Sequence, residues 1–75
     1  MEQAVKEVRG QIMLYEYAFA VQMACEFART LSGSVPEELQ ELNRKNKEDI
    51  TREDAEKAVK VLEKLNVDGC NTSVQ

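Results

Sequence analysis

The stretch EQAVKEVRGQIMLYEYAFAVQMACEFARTLSG, residues 2 to 33, decides how this chain folds. Helical character runs from near Glu2 to about Ser32, where Gly33 can take the left-handed conformation that ends a helix. One helix of roughly 30 residues is expected, about 45 Å long at 1.5 Å per residue. Gly10 sits inside it, costs about 1 kcal/mol relative to alanine, and marks a point for a bend or a close helix contact.

On a wheel of about 100° per residue, the apolar face of this helix changes sides. Val5, Val8, Ile12, Tyr15 and Phe19 share one arc, which Gln22, Glu26 and Thr30 occupy in the second half. On the opposite side Lys6, Glu7 and Gly10 give way to Met13, Leu14, Tyr17, Val21, Ala24, Cys25, Ala28 and Leu31. A helix packed on one neighbour shows one stripe, so two staggered stripes predict two neighbours. The rest of the chain offers Val35, Leu39, Leu42, Ile50 and a shorter third helix, enough for one face. A second copy of the chain, or another protein in a larger complex, then covers the other. Val5, Val8, Ile12, Tyr15 and Phe19 are the expected partner-binding surface, and two-fold pairing through the first helix is the economical geometry. Ala18, Ala20, Ala24 and Ala28 are small positions that admit a neighbouring helix. The competing expectation is a monomeric three-helix bundle with a bent first helix and some exposed apolar surface.

Downstream, Ser34-Val35-Pro36-Glu37 signals a short middle helix with Ser34 as cap, fading over residues 43 to 46. Thr51-Arg52-Glu53-Asp54 offers a second capping arrangement for a medium C-terminal helix ending near Asn66. The apolar stripe of that helix is Ala55, Ala58, Val59, Leu62 and Leu65, and its outer side carries Glu53 with Lys57 and Glu56 with Lys60. Asp68-Gly69 is a stop signal. The expected fold is an all-α bundle of long, short and medium helices, completed by dimerisation or a partner. It forms a single helical domain over residues 1–69, followed by a flexible tail over residues 70–75.

A chain of 75 residues buries only about 60% of the surface its unfolded form exposes, so its core wants support. Cys25 and Cys70 lack the spacing of a disulfide framework, which favours a reducing, cytoplasmic setting. With no histidine and two thiols, no zinc site is expected, and no catalytic cluster or cofactor motif is present either. Oligomerisation is the support that remains. A net charge of -4 disfavours general nucleic-acid binding. Arg44, Lys45, Lys47 and Arg52 are nevertheless the one basic concentration that could touch phosphate, partly cancelled by Glu48, Asp49, Glu53 and Asp54. Glu16, Gln22, Glu26 and Arg29 interrupt the apolar run over residues 12 to 31, so no membrane span is expected. The N-terminus has no signal-peptide pattern.

Asp49-Ile50-Thr51-Arg52-Glu53-Asp54-Ala55-Glu56-Lys57-Ala58-Val59 resembles the last loop and helix of histone-fold proteins, and equally the final lid helix of AAA+ ATPases. A histone fold places its short helix before the long one and this sequence places it after, so that family's pairing and DNA contacts do not transfer. The long, short, medium helix order also resembles the dimeric all-helical chorismate mutases. That resemblance implies an anion site built from basic residues, for which Arg9, Arg29 and Lys45 are the nearest match.

Overall fold

The computed structural model describes the backbone of residues 2–74 and the side chains of residues 3–65. Four α-helices are present: α1 Glu2–Met13, α2 Tyr17–Ser32, α3 Glu37–Arg44 and α4 Arg52–Val74, with a 3₁₀ turn at Lys47–Asp49 ahead of α4. No strand occurs among the described residues. The chain is all-α, as expected. The long first helix, however, is two helices, which makes four among the described residues.

The break is a backbone structure. Leu14 N–H donates to the carbonyls of Gly10 and Gln11 at 3.2 and 3.1 Å. Tyr15 then turns left-handed at φ 62°, its N–H donates to Ile12 O at 3.0 Å, and Glu16 N–H donates to Gln11 O at 2.9 Å. Those last two bonds are the pair that closes a helix in a Schellman motif. Glu16 carbonyl accepts Ala20 N–H at 2.9 Å, so one residue ends α1 and begins α2.

Packing, not local preference, explains the break. In a continuous helix Val8 and Ile12 would face away from Val21, Ala24 and Ala28, and one core could not hold both sets. Reversing the chain brings them together. A left-handed non-glycine residue costs roughly 1–2 kcal/mol. Burying a valine or isoleucine returns about 1.5–3 kcal/mol apiece, and both Val8 and Ile12 are buried. The core wins.

Helix α1 packs on α2 and α4, α2 makes its most extensive contact with α4, and α3 packs against both α2 and α4. Arg9 meets Glu63 while Ile12 and Met13 lie beside Arg52 and Glu56, so α1 runs antiparallel to α4. Ala20, Ala24 and Ala28 from α2 and Ala55 and Ala58 from α4 are fully buried, which lets these helices approach closely. Leu39, Leu42, Ile50, Val59, Val61 and Leu62 complete the core, with Leu65 packed on its edge. The radius of gyration, 11.9 Å, matches the roughly 11 Å of a compact 75-residue domain.

Several local expectations shift. Helix α3 is capped by Pro36, whose carbonyl accepts the N–H groups of Leu39 and Gln40 at 3.0 Å each, and not by Ser34. Proline forces the preceding residue toward extended backbone, which keeps Ser34 and Val35 out of the helix. The Thr51 cap holds: Asp54 N–H donates to Thr51 Oγ1 at 3.3 Å and Thr51 N–H to Asp54 Oδ2 at 3.1 Å. Glu56 pairs with Arg52 at 3.0 Å, where Lys60 was the expected partner. Helix α4 continues past Asn66 and Asp68-Gly69, since glycine weakens a helix without removing a backbone bond. The expected tail, residues 70–75, lies outside the residues whose side chains are described.

Candidate functional site

Among the described residues five large apolar side chains stand exposed, and four of them fall at the turn between α1 and α2: Met13 at 79%, Leu14 at 67%, Tyr15 at 76% and Phe19 at 48%. The left-handed turn causes this clustering, because it points the end of one helix and the start of the next outward at one corner. Tyr15 and Tyr17 meet edge to face, ring centroids 6.3 Å apart and planes at 89°. Such pairs contribute about 0.5–1.5 kcal/mol beyond burial. Gln11, Glu16, Gln22 and Lys47 edge the neighbouring groove, whose apolar wall is Leu14, Ala18 and Phe19. The corner therefore combines exposed apolar side chains with a polar border.

The expected partner-binding arc does not survive as one face. Val8 and Ile12 are buried by their own chain and Val5 is half-buried against the same core, while Tyr15 and Phe19 are exposed. The reversal at Tyr15 splits the arc. Met13 and Leu14, assigned by the wheel to the other stripe, join Tyr15 and Phe19 at the corner instead.

A second groove, about 370 Å³, runs between α1 and the first half of α4. Its apolar part is Ile12, Met13 and Val59, and its charges largely neutralise one another: Arg9 pairs with Glu63 at 2.7 Å and Arg52 with Glu56 at 3.0 Å. Exposed pairs of this kind are worth about 0–1 kcal/mol. A third groove, between α2 and α3, holds Arg29, Arg44 and the buried Cys25. The Cys25 thiol donates to Leu39 O at 3.6 Å. Burial pushes its pKa up, which outweighs the lowering by Arg29. A protonated, enclosed thiol is a packing group, not a nucleophile.

The basic residues expected to touch phosphate are not brought together. Lys45 Nζ is bound to Asp54 Oδ2 at 3.0 Å, Arg52 is paired in the α1–α4 groove, Arg44 lies in the α2–α3 groove, and Lys47 edges the apolar corner. Arg9, Arg29 and Lys45 are likewise dispersed, the first two in different grooves. Lys45, with a Thr51 backbone N–H, holds the Asp54 carboxyl below its ordinary range. Among the described residues no group of three or more His, Cys, Asp or Glu could hold a metal ion, and no helix is long and apolar enough to cross a membrane. No protein-family model matches this chain, and neither a curated protein nor a solved structure matches it.

Proposed function

We propose that this chain is a small protein-protein interaction module that works through the corner between α1 and α2, with a second copy of itself as the foremost partner. One observation carries the reading: Met13, Leu14, Tyr15 and Phe19 are all exposed around the single turn between α1 and α2, while the other described large apolar side chains, Leu31 apart, are buried or half-buried. Isolated apolar residues on a surface need no explanation, whereas a contiguous group calls for a covering surface. Aromatic and methionine side chains are also enriched where proteins meet. The corner also supplies what a small domain lacks, because association adds buried area to a core limited by chain length.

Light scattering over a concentration series tests this. The mass is expected to rise above the 8.5 kDa of one chain, and Leu14→Glu with Phe19→Asp is expected to return it to one chain while leaving the helical circular dichroism unchanged. A single-chain mass at every concentration, together with no co-purifying protein whose retention depends on Leu14 and Phe19, would end the reading.

A further inference from the structure

We infer that two copies of this chain exchange α1: residues 14–16 straighten, α1 and α2 become one continuous helix, and each α1 docks on the α2 and α4 of the other copy. The inference rests on the corner being a self-association surface and states how that association is built.

The turn carries nothing that demands a break. Leu14, Tyr15 and Glu16 include no proline or glycine, and leucine and glutamate are good helix formers. Glu16 makes no side-chain capping bond, so the reversal is held by backbone hydrogen bonds around a left-handed tyrosine. Straightening replaces those bonds with helical ones and removes the left-handed residue. Short, strained hinges of this type are the setting in which helices swap between copies.

Exchange also requires no new recognition. Val8 and Ile12 leave one core and enter an identical one, and Arg9 meets Glu63 of the other copy as it does its own. In the continuous helix, at about 100° per residue, Val8 and Ile12 lie on one side and Val21, Ala24 and Ala28 on the opposite side. Leu14, Tyr15 and Ala18 fall between them. A second helix related by a two-fold axis can cross there, passing from the α1 side to the α2 side, with the small Ala18 admitting a close approach. The crossing covers Leu14 and Tyr15, which the closed chain leaves exposed. The opposed stripes then serve both forms: folded back they meet in one core, and straightened they reach two.

The test uses mixed chains. In a Cys70→Ser background, Arg9→Cys and Glu63→Cys are made as separate variants, refolded together at high concentration and treated with a short bis-maleimide. Refolding matters because α1 must leave its core to exchange. A covalent link between positions 9 and 63 of different chains is expected, above the background of either variant alone. Inserting Gly-Gly after Tyr15 keeps every corner side chain but relieves the turn and interrupts the straight helix. It is expected to lower the yield of that link roughly tenfold or more. A doubled mass without the intermolecular link would overturn the exchange and leave the corner as a plain docking surface. A single-chain mass after refolding would overturn exchange and self-association together.

Discussion

Two helices in this chain end on a left-handed residue, and they do so for different reasons. Helix α2 closes at Gly33, φ 83°, whose N–H donates to Arg29 O at 2.8 Å. Helix α1 closes at Tyr15, φ 62°, with two such bonds, Tyr15 N–H to Ile12 O and Glu16 N–H to Gln11 O. Glycine enters this conformation without steric cost, so at Gly33 local preference and tertiary packing agree. Tyrosine resists it, so at Tyr15 packing overrules local preference. The first kind of helix end is visible in one residue; the second is visible only in where the neighbouring apolar residues point.

The largest test separates residues that a continuous helix would place on one stripe. Ile12→Asp forces a carboxylate into the core and is expected to cost more than about 3 kcal/mol in urea unfolding, enough to detach α1. Phe19→Asp, on the far side of the turn and half-exposed, is expected to cost under about 1 kcal/mol, with its effect appearing in association instead. Similar losses from the two substitutions would mean that the stripe is unbroken.

A sharper and smaller effect comes from comparing glycine with alanine at both helix ends. Inside a helix, alanine is the more stable by about 1 kcal/mol. At a left-handed position the order inverts, and glycine is expected to be the more stable by about 1 kcal/mol at position 15 and at position 33 alike. A Cβ at Gly33 meets nothing within 4 Å, so Gly33→Ala reports the backbone alone. Comparing Tyr15→Gly with Tyr15→Ala removes the tyrosine contact from both sides of the difference. Alanine preferred at 15 and glycine at 33 would restore the single long helix.

These contrasts show what could be seen in the sequence. The α4 stripe, the Thr51 cap, the Gly33 stop and the burial of Cys25 each follow from residues a few positions apart, and the structure has all of them. The turn at residues 14–16 has no such local mark, because its cause is the mutual packing of Val8 and Ile12 with Val21, Ala24 and Ala28. Its trace was the change of apolar face midway along the stretch. Opposed stripes in one run fit either two neighbours or one reversal, and the lack of a breaker at residues 14–16 favours a single helix, where the structure has two. The candidate site inherits the same limit. Tyr15 and Phe19 were legible as surface residues, whereas Met13 and Leu14 were assigned to the inner side of a helix that does not continue through them.

The smallest effect concerns a helix start written in side chains. At α4, Asp54 accepts from Lys45 Nζ and from Thr51 N–H, and those bonds hold its pKa below the roughly 3.9 of a free aspartate. The folded chain then binds fewer protons here than the unfolded chain, so stability rises with pH through this window. The contribution is complete above about pH 4 and disappears as pH falls through the lowered folded value. Asp54→Asn is therefore expected to lower stability by about 0.5 kcal/mol at pH 7, the scale of an exposed pair and cap, with the gap to the parent chain closing toward pH 2. The hydrogen bonds of the turn at Tyr15 are backbone bonds and include no titrating group. The glycine-over-alanine difference at position 15 should thus be the same at pH 3 and pH 7, while the Asp54 difference shrinks. A gap at Asp54 that stays constant down to pH 2 would remove the carboxylate from the cap and leave α4, like α1, bounded by backbone alone.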